Sequence, residues 1–168
     1  MEIEEASATQ WSILSDLAQR SWRAGYKDVL STEQIEFMLE KSYSQPGILE
    51  AMDKGQRFYL GSCGGRAVGF IALQRADNGV LRIEKLYLLP EVQGKGYGQQ
   101  FIGFAEQEAS KQKCSQLELN VNRKNKAYYF YRKQGFEVTA EIDIPYFGFL
   151  LDDYIMRKKV VRVNKADS

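Results

Sequence analysis

The sequence predicts an α/β fold: one domain built on a mixed, mostly antiparallel sheet flanked by helices. Three observations carry that reading. Apolar residues recur at helical spacing from Trp11 to Leu39 and then change to the two-residue period of strands. Turn sequences at Cys63-Gly64-Gly65 and Asp77-Asn78-Gly79 separate three β-rich runs, as hairpin turns do. Downstream, a strand, a helix and a strand follow one another between Val80 and Val121, which makes the sheet mixed. The chain has 168 residues and no internal repeat, so residues 1–168 read as a single domain. A domain of that length buries about two-thirds of its unfolded surface.

Each element has its own signal. A short first strand covers Met1 to Glu4. Ser7 and Gln10 have capping-box spacing and open a helix that carries Trp11, Leu14, Leu17 and Ala18 on one face and runs to about Ala24. Ser31 and Gln34 repeat the signal, Ile35, Met38 and Leu39 supply the apolar face, and Pro46-Gly47 stops this second helix. Strands follow at Gln56 to Gly61, Arg66 to Gln74 and Val80 to Leu88. A third helix starts near Gly96 with Tyr97, Phe101, Phe104 and Ala105 along one face, and Gln116 to Val121 is the next strand. Asn122 to Asn125 opens a fourth helix ending at Gly135, where a glycine is favoured just past the last turn. Two β-like runs, Phe136 to Ile144 and about Leu150 to Val161, complete the chain.

Composition removes whole classes of function. A net charge of +1 gives no broad basic surface for a polyanion, so nucleic acid is not an expected partner. The N-terminus is acidic and polar, and no apolar run approaches the roughly 20 residues that span a bilayer, so a cytoplasmic protein without membrane contact is expected. Cys63 and Cys114 lack metal-ligand spacing, and no metal is expected. The chain contains no histidine, which excludes Ser-His and Cys-His nucleophile systems. Any base must be a carboxylate, an amine, a phenol or water.

The stretch Leu86 to Gly98, LYLLPEVQGKGYG, runs from an apolar strand through Pro90 into glycines at 94, 96 and 98 and then a helix. Such a corner suits an anion: glycines let the backbone approach closely, and a helix start offers unpaired N–H groups and a positive dipole end. Spacing argues against three nucleotide motifs. GxGxG after apparent hairpins is not the dinucleotide GxGxxG, although Glu118 lies near that motif's acidic distance. A Walker A loop would end in GK[ST], and a kinase loop would need an HRD-type segment.

A second segment, VNRKNKAYYFYRKQGF at 121–136, completes a pattern. Together the two segments resemble the GCN5-related N-acetyltransferase (GNAT) superfamily. Gln93, Gly96 and Gly98 occupy its Q/R-x-x-G-x-G/A positions, and Asn125, Ala127, Tyr131, Arg132-Lys133 and Gly135-Phe136 are similar to its later signature. DDYIMRK at 152–158 also looks like this family, and the resemblance covers nearly the whole chain. One departure is that Asn125 stands one residue closer to Tyr131 than is usual, which leaves Asn122 and Asn125 competing for one cofactor contact.

The resemblance implies an acyl-CoA N-acyltransferase fold and an acetyl-CoA-dependent N-acetyltransferase that uses a ternary complex. Its acceptor would be a primary amine, a small amine or polyamine in preference to a protein N-terminus; a peptide amine and a homodimer stay open. It implies that backbone groups of Leu86, Tyr87 and Leu88 pair with the pantetheine arm, and that Gln93, Gly94, Lys95, Gly96, Tyr97 and Gly98 surround the pyrophosphate. A lysine-like amine ionises about 3.4 pH units above neutrality, a deficit of about 4.6 kcal/mol, so a proton acceptor is needed. Glu84 is the first candidate, with Asp143 and Glu118 next. Tyr131 occupies the family's general-acid position, and Trp22, Tyr26, Tyr146 and Phe147 are candidates for the acceptor cleft. The contrasting reading is a non-catalytic acyl-CoA-binding sensor or interaction module, which would keep the glycine corner and lose the chemistry.

Overall fold

The computed structural model describes residues 1–161, so the end of the expected domain at 162–168 lies outside it. Among the described residues, seven strands form one sheet in the order β1-β2-β3-β4-β5-β7-β6, with five helices. The strands are β1 (Glu2–Glu5), β2 (Arg57–Cys63), β3 (Arg66–Ala76), β4 (Val80–Leu88), β5 (Gln116–Asn122), β6 (Glu137–Tyr146) and β7 (Phe149–Lys159). The helices are α1 (Trp11–Gly25), α2 (Thr32–Tyr43), α3 (Gln45–Asp53), α4 (Tyr97–Lys111) and α5 (Ala127–Lys133). The recorded pairings are antiparallel for β1–β2, β2–β3, β5–β7 and β6–β7, and parallel for β4–β5, which confirms the mixed, mostly antiparallel sheet. The contacts divide into two compact units, Met1–Leu73 with Glu84–Gln100, and Gln74–Ile83 with the chain from Phe101 onward.

In the first unit the caps act as the sequence implies. Gln10 Oε1 accepts the Ser7 N–H at 2.9 Å, and the Ser31 hydroxyl accepts the Gln34 N–H at 3.1 Å. The expectation at Pro46-Gly47 needs correction: α2 ends at Tyr43, but the pair lies in the first turn of a further helix, α3. Ser44 caps it by accepting the Gly47 N–H at 3.3 Å, and proline suits a first turn because the N–H it lacks would have no helical partner. The core of this unit joins Leu14, Leu17, Ala18 and Trp22 of α1 to Ile35, Leu39, Ile48, Phe58, Phe70 and Leu89. The β2–β3 turn places Gly64 and Gly65 at φ +57° and +80°, a left-handed pair that glycine adopts without a Cβ clash.

In the second unit Leu81, Phe101, Ile102, Leu117, Leu119, Phe136 and Met156 are buried. Each such side chain stabilises the fold by about 1.5–3 kcal/mol. The strand order departs from chain order: β7 lies between β5 and β6. The fourth helix is shorter than expected, because Asn122 still closes β5, residues 123–126 connect the two elements, and α5 begins at Ala127. No helix among the described residues is long and apolar enough to cross a membrane.

Candidate active site

In the first unit, β4 leads into the glycine corner. The Leu89 N–H donates to Val68 O at 2.9 Å, and a single 3-10 turn over Pro90–Val92 redirects the chain. Glu91 in that turn is held by Arg20 and Arg66 at 2.8 and 2.7 Å. Its carboxyl lies below the usual range, through a hydrogen bond from its own main chain and through these arginines. Gln93, Gly94, Lys95 and Gly96 are exposed, while Tyr97 and Gly98 are half-buried in the first turn of α4. Gly94 and Gly96 have φ +80° and +84°, and a Cβ built on either would meet nothing within 4 Å.

The first main-chain bond of the helix is Gln100 N–H to Gly96 O at 3.2 Å. Among the described residues, the N–H groups of Gly94, Lys95, Gly96, Tyr97, Gly98 and Gln99 have no main-chain or side-chain acceptor. No side chain plugs the corner at either glycine, and its nitrogens are not spent on carbonyls. The site therefore fits a diphosphate, whose charge the helix start and these donors would offset. The Tyr97 phenol is raised above its ordinary pKa by its hydrogen bond with the Cys63 thiol.

The strand preceding the corner carries Glu84, Leu86, Tyr87 and Leu88, all half-buried. The Leu88 carbonyl accepts the Ser21 hydroxyl of α1 at 3.0 Å. Gly69 of β3 lies so close that a Cβ there would stand 2.5 Å from the Tyr87 carbonyl oxygen. The Tyr87 ring enters an aromatic cluster: Trp22 lies 5.9 Å from it, and 4.4 Å and 5.8 Å from Tyr26 and Tyr43. Trp22 and Tyr26 are thus brought together with Tyr87. Trp22 is only 6% exposed, and its indole N–H has no hydrogen-bond partner within bonding distance. Burial raises the phenol pKa of both Tyr43 and Tyr87.

Lys85, absent from the sequence-based candidates, enters the same cluster. Its ammonium lies 5.4 and 5.9 Å from the ring centres of Phe58 and Tyr43 and donates to Gln56 Oε1 at 2.5 Å. Burial lowers its pKa to about 8. The two-residue alternation Ile83, Lys85, Tyr87 was the available signal for a lysine turned toward Tyr87.

The second unit carries the remaining candidates. Asn122 Oδ1 accepts the Lys124 N–H and Asn125 Oδ1 accepts the Ala127 N–H, each at 2.9 Å, so both side-chain carbonyls are engaged in turns ahead of α5. Tyr131 is 9% exposed on α5, with its ring packed against Phe136. Tyr146 and Phe147 form a T-shaped pair, 4.8 Å between centres, at the tip of the β6–β7 hairpin, where Phe147 is 64% exposed.

Two further carboxylates are committed to ion pairs. Glu118 is bonded to both Arg82 and Arg157, and Asp143 to Arg123. Asp153 differs: burial raises its carboxyl pKa, against a hydrogen bond from Asn120. No group of three or more metal-ligating side chains occurs among the described residues.

With this geometry in view, comparison with known proteins is specific. Residues 26–144 match the acetyltransferase (GNAT) domain. The chain is 29% identical over 165 residues to spermidine N(1)-acetyltransferase of Thermoplasma acidophilum, covering 95% of this chain and 97% of that protein. The crystal structure of the PaiA N-acetyltransferase of Thermoplasma acidophilum, in complex with coenzyme A, superposes with a TM-score of 0.79 at 28% identity, covering 95% of this chain and 99% of that one. A GCN5-related N-acetyltransferase from Rhodopseudomonas palustris shares the fold, with a TM-score of 0.81 at 21% identity over 94% of each chain. The chain therefore belongs to the GNAT family and is an N-acetyltransferase whose acetyl donor is acetyl-CoA.

Proposed function

We propose that this enzyme acetylates a primary amine, a small amine or polyamine in preference to a protein N-terminus, by direct attack within a ternary complex. The observation that carries the reading is the row of unpartnered main-chain N–H groups from Gly94 to Gln99 at the start of α4. Gln93 to Gly98 hold the diphosphate, with Lys95 adding charge at the exposed rim. Main-chain groups of Leu86, Tyr87 and Leu88 pair with the pantetheine arm as a neighbouring strand would. Asn122 or Asn125 adds a contact through its amide N–H2, since each carbonyl is already used within its turn.

Bound acetyl-CoA would supply the acetyl group as a thioester, with coenzyme A leaving as the thiol. Glu84 takes the proton from the acceptor ammonium, directly or through one water, and Tyr131 donates to the departing thiolate. Glu118 and Asp143 are weaker candidates for the base because arginines already hold their carboxylates. Trp22, Tyr26, Tyr146 and Phe147 contact the acceptor, with aromatic faces suited to a cationic amine. The 29% identity to a spermidine acetyltransferase supports a polyamine. Action of residues 1–168 as one domain, in the cytoplasm, belongs to the same proposal.

The test is release of free thiol, followed with a thiol-reactive dye, across polyamines, amino acids, aminoglycosides and peptides. Fastest release with polyamines or other small amines is expected. Release with peptides alone would overturn the acceptor assignment.

A further inference from the structure

Lys85 lies on the part of β4 that belongs to the first unit, one residue before the stretch Leu86 to Leu88. Its ammonium is packed over aromatic rings, 5.4 Å from the centre of Phe58 and 5.9 Å from that of Tyr43. Those rings belong to residues only 1% and 3% exposed, so the charge has little access to water. Its hydrogen-bond partner is the neutral amide of Gln56, at 2.5 Å, and not a carboxylate.

Such surroundings favour the uncharged amine, and burial brings its titration down to about 8. About one molecule in ten then carries a neutral Lys85 at pH 7, against about one in two thousand for a solvated lysine. A neutral amine gives one N–H to Gln56 and keeps its lone pair, which makes it a nucleophile activated by desolvation. With a diphosphate at Gly94 to Gln99, an arm pairing with Leu88, Tyr87 and Leu86 runs back along β4. Its thioester end then comes level with the next residue, Lys85. Cross-strand neighbours stand about 5 Å apart at Cβ, within reach of the four-carbon stem of a lysine. Tyr43, Gln56, Phe58, Lys85 and the glycine corner all belong to the same unit, so the arrangement draws on no other part of the chain.

We propose that Lys85 is a self-acetylation site, its Nζ taking the acetyl group of bound acetyl-CoA when no other amine is present. The proposal rests on the reading of Leu86 to Leu88 as the strand that pairs with the pantetheine arm. The neutral amine attacks the thioester carbon; the N–C bond forms, the C–S bond breaks, and the proton lost by nitrogen leaves with the sulfur as coenzyme A thiol. The product is an uncharged amide whose N–H still suits Gln56, so the aromatic surroundings no longer hold a charge.

The test is intact-mass spectrometry of the full chain incubated with acetyl-CoA and no acceptor, beside calorimetry with coenzyme A on the same sample. One addition of about 42 Da is expected, mapped by peptide sequencing to Lys85. Its rate saturates with acetyl-CoA and rises about tenfold per pH unit before levelling off above about pH 8. The variant Lys85→Met, shown to be folded by its melting temperature, gains no such addition. An exposed lysine such as Lys95 reacts in simple proportion to acetyl-CoA and gains rate up to about pH 10. Coenzyme A binding without acetylation of Lys85, or acetylation spread evenly over exposed lysines, would overturn the self-acetylation and leave the pantetheine reading standing. Failure of coenzyme A to bind would overturn both.

Discussion

Tyr131 lies with its ring at 71° to that of Phe136, 5.7 Å between centres. This edge-to-face contact belongs to the ring, so Tyr131→Phe keeps the packing and removes the hydroxyl alone. Loss of one hydrogen-bonding group costs about 1 kcal/mol of stability. Loss of the proposed general acid lowers kcat by about a hundredfold to ten-thousandfold with coenzyme A affinity nearly unchanged. Steady-state kinetics beside calorimetry reads both, and undiminished turnover removes the acid role.

At the glycine corner, Gly96 has φ +84° with open space where a Cβ would stand. Gly96→Ala therefore meets no clash, and its cost is the left-handed backbone, about 1–2 kcal/mol for an L-residue. If the strain is relieved by turning the loop, the N–H row is misdirected and the KM for acetyl-CoA rises about tenfold, with kcat less affected. An unchanged KM would remove the loop from the binding site.

Local chemistry made most of the fold legible. Ser31 with Gln34, Gly64-Gly65 and Asn78-Gly79 each determine a cap or turn within a few residues, and the structure has each. Pro46-Gly47 misled because the same dipeptide suits the end of one helix and the first turn of the next; Ser44 was the overlooked cap. The insertion of β7 between β5 and β6 is a long-range choice that period-two alternation leaves undetermined. In the proposed site, the glycine corner stood out because the role proposed for it lies in the backbone. Lys85 and the Arg82–Glu118–Arg157 row were not, since a charge in a strand reads as solvated until its neighbours across the sheet are known.

Gly69 shows how closely β3 approaches the cofactor strand. A methyl group there would stand 2.5 Å from the Tyr87 carbonyl oxygen and 2.7 Å from Leu88 Cδ2. The Leu88 methyl can turn aside, but the Tyr87 carbonyl cannot yield without moving β4, so Gly69→Ala destabilises the protein by about 1–3 kcal/mol. Because the displaced groups belong to Tyr87 and Leu88, coenzyme A affinity falls as well. Urea denaturation and calorimetry measure the two effects, and a variant as stable as the parent would contradict this packing.

Lys85 makes stability depend on pH in an uncommon direction. Its amine titrates near 8 in the folded protein against 10.5 when solvated, mainly through burial, with the Glu84 charge pulling it partly back. Between those values the unfolded chain binds more protons, so this residue makes stability rise with pH, and below pH 8 it carries its full penalty. A gap of about 2.5 pH units corresponds to at most about 3 kcal/mol. Lys85→Met removes the penalty and the hydrogen bond to Gln56 together, leaving a gain of about 1–3 kcal/mol at pH 7. That gain should shrink steadily as the pH is raised from 8 to 10.5. Thermal melts of parent and variant across this range test the sign directly: a gain that grows with pH, or a loss of stability at pH 7, would mean that the buried ammonium is held by more than Gln56 and the two rings.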